Sequence, residues 1–182
     1  LYEAGVDSFK IEGRTKSMYY LAMVTRAYRA ATDDVLAGRP FNPQYIDDLN
    51  KIPHRGYTAG FLNRSPGEKM QRYVSGTSDL FTAEYAAYIA QIQPGKMLLY
   101  PKNKISVGDK LSIITPRLSF DTTVHTLELE DGTAVPSVHG GTGKCAWIST
   151  EQNFDPEFAV VAKHVTGPGE LDGDELTSSC SS

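Results

Sequence analysis

Cysteine is scarce in this chain of 182 residues, which contains two, Cys145 and Cys180. Two cysteines are too few for the disulfide framework of a small secreted domain, so we expect a reducing, cytoplasmic environment. On their own they also cannot hold an iron–sulfur cluster or a structural zinc ion. The sequence has no run of about 20 apolar residues, so no membrane partner is expected.

Histidine is sparse as well, and the four histidines lack the spacing of a metal site and a neighbouring cysteine pair. We therefore predict no metal site and no cofactor held by this chain. A nucleophile elbow is absent from the sequence, and a Ser-His-Asp triad could arise only from the fold. The run Gly140-Gly141-Thr142-Gly143-Lys144 lacks the first glycine and the final Ser or Thr of a phosphate-binding loop, which favours a hairpin loop instead.

Charge is distributed unevenly along the chain, whose net charge is −4. Residues 1–72 carry 11 Lys and Arg against 8 Asp and Glu, whereas residues 73–182 carry 7 against 14. The first part is therefore the better candidate for contact with an anionic partner. An excess of three is also typical of scattered charge that only keeps a protein in solution.

The segment Asp-Ser-Phe-Lys-Ile-Glu-Gly-Arg, residues 7–14, predicts a short strand that ends in a glycine turn before a helix. Because strand side chains alternate between faces, Phe9 and Ile11 would share one face while Lys10 and Glu12 would share the other. Such a strand end suits the functional edge of an α/β enzyme. A solvent-facing ion pair on an edge strand explains the same pattern equally well.

Two helices are expected next. The spacing predicts a helix from Lys16 to about Gly38, and Asn42-Pro43 indicates the start of a short second helix. The apolar stripe of the first helix is predicted to consist of Leu21, Val24, Tyr28, Ala31 and Val35.

From about residue 83 the pattern changes to short β runs separated by turns. The candidate strands are 84–92, 96–101, 109–115, 120–129, 144–149 and 158–164. Five or six short strands at this spacing favour a small antiparallel barrel. The residues after Thr166 are acidic and Ser-rich, which is typical of a disordered tail.

Residues 52–78 between these regions look irregular, and long loops of this kind are often functional. Within them, His-Arg-Gly-Tyr-Thr-Ala-Gly-Phe at residues 54–61 combines a titratable ring, a guanidinium, aromatics and glycines. This mixture suits phosphate contact by Arg55 with stacking on Tyr57 or Phe61. The alternative is a tight loop whose aromatic rings fill the junction between two subdomains.

Taken together, these motifs resemble a known family. Asp-Ser-Phe-Lys-Ile-Glu-Gly-Arg-Thr-Lys-Ser-Met-Tyr-Tyr, then Tyr28-Arg29, then the 54–61 motif resemble the collagenase-like peptidase family (peptidase family U, number thirty-two), and within it the branch of tRNA uridine hydroxylation proteins. The resemblance runs from residue 1 to about 165 and is most specific in the first 61 residues. Residues 103–109 are similar to part of the family's small C-terminal β-barrel.

The resemblance implies an α+β fold. The terminal strand–helix unit of a (β/α) barrel-like catalytic domain, with short helices and a connecting loop, would occupy residues 1–78. A small antiparallel β-barrel would follow at 79–165, and a disordered tail at 166–182. The chain would then be the C-terminal part of a longer protein, with the absent N-terminal domain as a partner. The family's iron–sulfur cysteines lie upstream of this region, so any such cluster would belong to that domain.

The resemblance also assigns roles to side chains. It aims Lys10, Glu12 and Arg14 at a catalytic site at the C-terminal ends of the barrel strands. Binding of RNA or another substrate is assigned to Lys16, His54, Arg55, Tyr57, Phe61 and Arg64.

Three functions stay open at this point. The longer protein would hydroxylate a tRNA uridine, with tRNA as its partner, or it would be a peptidase, as the family name says. Alternatively, this part alone is a non-catalytic β-barrel module that binds RNA or protein. The sequence has basic and aromatic groups but shows neither a nucleophile beside a base nor a set of metal ligands, which favours the tRNA hydroxylation hypothesis. We do not expect the 182 residues to be catalytic by themselves, and the sequence predicts no oligomeric state.

Overall fold

A computed structural model describes residues 1–54 and 81–165 of the chain. Two helices come first, α1 at Met18–Leu36 and α2 at Gln44–Asn50. The strands that follow in this part of the chain are β1 (Ala83–Gln93), β2 (Lys96–Pro101), β3 (Ile105–Ser106), β4 (Lys110–Ile114), β5 (Ser119–Thr123), β6 (Glu128–Leu129), β7 (Ser137–Val138), β8 (Ala146–Ser149) and β9 (Val160–His164). The predicted α+β class is confirmed.

The ends of α1 are set by its flanking residues. Ser17 caps the first turn, where its Oγ accepts a hydrogen bond from the backbone N–H of Tyr20 at 3.1 Å. Gly38 follows the helix with φ +68°, a conformation that glycine adopts without steric cost. Both predicted helices are confirmed: both ends of α1 and the start of α2 lie within two residues of the predicted positions.

The buried face of α1 agrees with the predicted stripe at Val24 and differs from it elsewhere. Tyr28 and Val35 are each 49% exposed, whereas Tyr19, Met23 and Ala27 are buried. Both sets recur at helical spacing, so periodicity alone could not distinguish them. Packing against the sheet determines which set is buried, because the face of α1 that carries Tyr19 lies against β9 and its neighbours.

A side-chain cluster ties the end of α1 to α2. The carboxylate of Asp34 accepts hydrogen bonds from Tyr45 Oη at 2.5 Å and from Arg39 Nε at 2.7 Å. These two donors, Tyr45 first, hold the pKa of Asp34 below its ordinary value. The bonds fix α2 beside the last turn of α1.

The main sheet is antiparallel and has the strand order β5-β4-β9-β1-β2-β8-β6. Its two edge strands, β5 and β6, are joined by residues 124–127 alone. Such a link spans at most about 18 Å, whereas seven strands laid flat would extend roughly 29 Å. The sheet is therefore curled so that its two edges approach each other.

This curl corrects one prediction. Residues 120–129 were expected to form one strand, but the structure divides them between β5 and β6 at opposite edges of the sheet. The link between them buries Val124 and Leu127 while His125 and Thr126 remain exposed. Apolar residues recur through the link at Val124 and Leu127, which made it look like a continued strand although two polar residues in a row interrupt the alternation.

Two apolar clusters lie on the two sides of the sheet. The inner cluster fills the curl and includes Met97, Leu99, Leu111, Ile113 and Val161. The outer cluster joins the helices to the sheet, and its buried members are Tyr19, Met23, Val24, Ala27, Leu49, Ile52, Ala83, Ile114, Val160 and Ala162. The helices thus cover part of the convex face of the sheet.

The glycine-rich run at 140–144 is a connection between β7 and β8. The prediction of a hairpin loop is wrong in its topology, because β7 pairs with β3 while β8 pairs with β2 and β6. Gly141 and Gly143 adopt φ +79° and +72°. The glycines therefore serve a backbone path between two sheets.

The strand predicted at residues 7–12 is absent. Residues 6–13 have no regular secondary structure, and no strand in the described part of the chain pairs with them. A strand needs a neighbour for its backbone N–H and C=O groups, and no described segment supplies one. Phe9 is 47% exposed while Ile11 packs against the outer cluster, so the two do not share an apolar face.

Candidate nucleic-acid interface

The three predicted catalytic side chains lie on the exposed segment before α1. Lys10 Nζ is 3.0 Å from Glu12 Oε1, and Arg14 Nε is 3.9 Å from Glu12 Oε2. The structure therefore brings the three together, with Glu12 between two cations. The Lys10 side chain is 82% exposed and that of Arg14 is 88% exposed. Ion pairs so open to water contribute little to stability, which leaves the cations available to a ligand.

Lys16 follows in the same segment, directly before the Ser17 cap. Its Nζ lies 5.2 Å from the centroid of the Tyr20 ring, within the range of a cation–π contact. The exposed side chains of Lys10, Arg14 and Lys16 thus form a short basic segment at the start of α1, here called the basic arm. Glu12 is the one carboxylate within it.

The remaining predicted binding residues lie in or next to the 54–61 motif. His54 is partly buried at the end of the segment after α2. Arg55, Tyr57, Phe61 and Arg64 lie outside the described residues, as do the other residues of 55–80 and those of 166–182. The proposed phosphate contact by Arg55 and the stacking on Tyr57 or Phe61 stay predictions.

A second polar cluster was not anticipated from the sequence. Ser112 on β4 pairs with Asp121 on β5 and with Ala162 on β9, and His164 stands two residues beyond Ala162 on the same face. Ser112 Oγ lies 2.6 Å from Asp121 Oδ1 and 2.7 Å from His164 Nε2. Residues so far apart in sequence offered no signal, because only strand register brings them together.

This cluster does not have the geometry of a catalytic triad. In a triad the serine and the carboxylate engage opposite nitrogens of the imidazole. Here Asp121 Oδ1 lies 3.6 Å from the same Nε2 that contacts Ser112. Because the hydroxyl donates its single proton to Asp121, its oxygen accepts from the imidazole N–H. The histidine is therefore not placed to remove a proton from Ser112.

The cluster lines one end of a cavity of about 420 Å³ between the helices and the sheet. Asp48 lies 2.9 Å from Lys51 Nζ and 4.0 Å from an Arg26 guanidinium nitrogen, so the cations there are already paired. Tyr19 lines the same cavity, and its burial, followed by the charge of Asp48, raises its pKa well above the ordinary value. The Tyr19 hydroxyl therefore stays protonated at neutral pH.

Metal and membrane features were searched in the same part of the chain. Residues 1–54 and 81–165 contain no group of three or more His, Cys, Asp or Glu side chains that could hold a metal ion. Neither described helix is long and apolar enough to cross a membrane.

Comparison with known proteins identifies the protein family to which the chain is related. Residues 1–72 match the family described as Peptidase family U32. The chain is also similar over most of its length to proteins of tRNA hydroxylation, so the predicted relationship with the collagenase-like peptidase family and its tRNA hydroxylation branch is confirmed.

Two curated relatives and one solved structure illustrate the relationship. The chain is 36% identical over 168 residues to tRNA hydroxylation protein P of Escherichia coli, covering 92% of this chain and 37% of that protein. It is 32% identical over 165 residues to the protein of that name from Haemophilus influenzae, covering 88% and 35%. The chain thus spans little more than a third of either relative. The C-terminal domain of a U32-family protein of Geobacillus thermoleovorans matches 45% of this chain and 93% of its own, with a TM-score of 0.41 and 16% identity.

Proposed function

We propose that this chain is the RNA-binding C-terminal part of a protein that hydroxylates a tRNA uridine to 5-hydroxyuridine. The observation that carries the proposal is the similarity to tRNA hydroxylation protein P across 92% of the chain. The partners are tRNA and an N-terminal domain of the longer protein, and any iron–sulfur cluster belongs to that domain. The proposal includes a cytoplasmic location, because tRNA is its substrate.

The charges of the basic arm also support this proposal. Three exposed cations within seven residues, with one carboxylate among them, attract the phosphates of RNA. Glu12 between Lys10 and Arg14 gives the arm one proton-accepting group beside two cations. In the proposal these three side chains face the reacting nucleotide, while Lys16, His54 and the loop residues Arg55, Tyr57, Phe61 and Arg64 bind the surrounding RNA.

The test replaces Lys10, Arg14 and Lys16 together by Ala and measures tRNA binding by fluorescence anisotropy at several salt concentrations. We expect the affinity to fall by about tenfold or more, and the slope of log K against log salt to become shallower by about one per lost phosphate contact. In a strain that lacks the full-length gene, the same variant of the full-length protein should restore less 5-hydroxyuridine, measured by mass spectrometry of tRNA.

A matched control removes the same charge elsewhere. Lys110, Arg117 and Lys144 are exposed on the sheet and its loops, and their triple Ala variant should bind tRNA nearly as tightly as the parent chain. Equal losses in the two variants would show a general charge effect without an RNA site. Unchanged 5-hydroxyuridine in the strain without the gene would contradict the hydroxylation role itself.

The described residues support the peptidase hypothesis less than they support the tRNA hydroxylation hypothesis. Their one Ser–His–Asp cluster lacks the triad geometry, and its cavity cations are paired with Asp48. The third hypothesis, a β-barrel module that binds RNA without catalysis, agrees with the proposal. In both, this chain contributes substrate binding, and in the proposal the chemistry takes place in the longer protein.

A further inference from the structure

A groove lies between α1 and the convex face of the sheet, and none of the three cations of the basic arm lines it. Its volume is about 790 Å³, within the range of about 300–1,000 Å³ typical of ligand pockets. Its floor is apolar and includes Leu21, Ile89 and Val160. The side chains at its rim indicate which kind of ligand it suits.

Aromatic rings and a lysine form one rim. Tyr88 on β1 lies directly opposite Tyr100 on β2, and their rings stack with centroids 4.8 Å apart and planes 11° from parallel. Lys102 Nζ lies 4.8 Å from the Tyr100 ring centroid and 5.4 Å from that of Tyr88. Tyr88 and Lys102 line the groove.

The charge at the rim is positive. Lys102 is exposed, and no carboxylate in the described part of the chain pairs with it. Arg26 and Arg29 on α1 also line the groove, but Arg29 is paired with the lining carboxylate of Asp33 and Arg26 lies 4.0 Å from Asp48. Among the described lining residues, Lys102 is therefore the cation without a carboxylate partner. The groove therefore favours an anionic occupant with flat apolar parts.

Phe158 also lines the groove, and 76% of its surface is exposed. Its φ is +60°, a conformation that costs a non-glycine residue energy and that tends to persist where function requires it. A turn before β9 holds it there, since Ala159 N–H donates to the Pro156 carbonyl at 2.9 Å. The backbone thus presents an aromatic ring to solvent beside an apolar groove.

We infer that this groove binds unpaired RNA nucleotides, with bases stacked on Phe158 and Tyr88 and a phosphate on Lys102. Exposed aromatic rings beside a cation that has no carboxylate partner are features by which proteins hold single-stranded nucleic acid. The inference rests on the proposed function and makes it more specific. It adds a second contact surface that reads unstacked bases, whereas the basic arm contacts phosphates.

The experiment measures binding of a fluorescein-labelled oligouridine of about ten nucleotides to the chain, within the usual site size for such surfaces. Phe158→Ala should weaken binding by about tenfold, because it removes a stacking surface. Lys102→Ala should weaken it as well and should make the salt slope shallower by about one. Both side chains are exposed, so the fold should persist in these variants, which circular dichroism verifies.

Lys96 provides the matched control. Its Nζ lies 4.5 Å from the Trp147 ring centroid, so it is also a lysine over an aromatic ring, but neither residue lines the groove. Lys96→Ala should leave oligouridine binding unchanged. The same oligouridine annealed to its complement should lose its dependence on Phe158, because pairing hides the base faces.

The outcomes separate the inference from the proposed function. If the chain binds RNA but the Phe158 and Lys102 variants bind as tightly as the parent, the inference is wrong and the proposed function stands. If Phe158→Ala weakens duplex and single strand equally, or instead abolishes self-association in sedimentation, the groove does not read unpaired bases. If the parent chain binds no RNA at all, the proposed function fails and the inference fails with it.

Discussion

Phe158 combines two properties that rarely occur in one residue, a left-handed backbone and a large apolar side chain open to water. Neither could be predicted from the sequence, since left-handed positions usually have Gly, Asn or Asp. Asp155 contributes locally, because its Oδ1 accepts a hydrogen bond from Glu157 N–H at 2.9 Å and shapes the turn before Phe158. The strain is thus fixed by the connection to β9.

Phe158→Gly should raise the free energy of unfolding by up to about 1.5 kcal/mol. Glycine relieves a left-handed penalty of about 1–2 kcal/mol and loses about 0.5–1 kcal/mol through its greater freedom in the unfolded chain. Phe158→Ala keeps the strain and should give no gain. Urea unfolding of both variants measures the difference, and a Phe158→Gly variant that is less stable than Phe158→Ala would mean that the backbone at residue 158 is not strained.

At the scale of elements, the connection between β7 and β8 shows why its glycines are needed. A Cβ at Gly140 would lie 2.0 Å from the Lys102 carbonyl oxygen, which is backbone and cannot move away cheaply. At Gly141 a Cβ would meet nothing within 4 Å, but φ there is +79°. One glycine permits close approach of two backbones, and the other permits a left-handed turn.

Gly140→Ala should therefore cost about 2–3 kcal/mol, in the upper range for overpacking, whereas Gly141→Ala should cost about 1 kcal/mol for the left-handed strain alone. Chemical denaturation of the two variants gives the comparison. Gly140→Ala should also displace the Lys102 backbone and weaken oligouridine binding, which Gly141→Ala should not do. Equal destabilisation by both would contradict the close contact.

The same scale shows what the sequence could predict. Capping and stop signals gave both helices, and alternation with turn residues gave the longer strands, because those patterns depend on local chemistry. The division of 120–129 between two edges, and the choice of the Tyr19 face of α1, depend on what lies across the sheet. The expected strand at residues 7–12 failed for a related reason, since a strand requires a neighbour that no local pattern shows.

The residues of the candidate site also fall into those that the sequence could predict and those that it could not. Lys10, Glu12 and Arg14 lie within five residues, so a sequence pattern could group them, and the structure brings them together. The Ser112 cluster and the groove rim of Tyr88, Tyr100 and Lys102 come from strand register and from bulges in β1, which shift the register between Tyr85 and Ala87 and again between Ile89 and Gln91. No alternation pattern locates a bulge.

At the scale of the whole molecule, the outer cluster makes the helices and the sheet interdependent. Met23 is 3% exposed and belongs, with Ile114, Val160 and Ala162 of the sheet, to this one cluster. A groove formed between α1 and the sheet keeps its shape only while this packing holds. The RNA surface inferred above therefore depends on cooperative folding of both parts.

Met23→Ala should lower the free energy of unfolding by about 2–5 kcal/mol, the usual cost of deleting a buried Met side chain. The chain has a single tryptophan, Trp147 on β8, so its fluorescence reports the sheet, while far-UV circular dichroism includes the helices. Both signals should shift to the same lower urea midpoint, as expected for one cooperative unit. Met18→Ala on the same helix is the control, because Met18 is 62% exposed and should change the midpoint little. A Trp147 transition that stays in place while the helical signal shifts would show that the helices unfold independently of the sheet, and the groove would then lack a fixed wall.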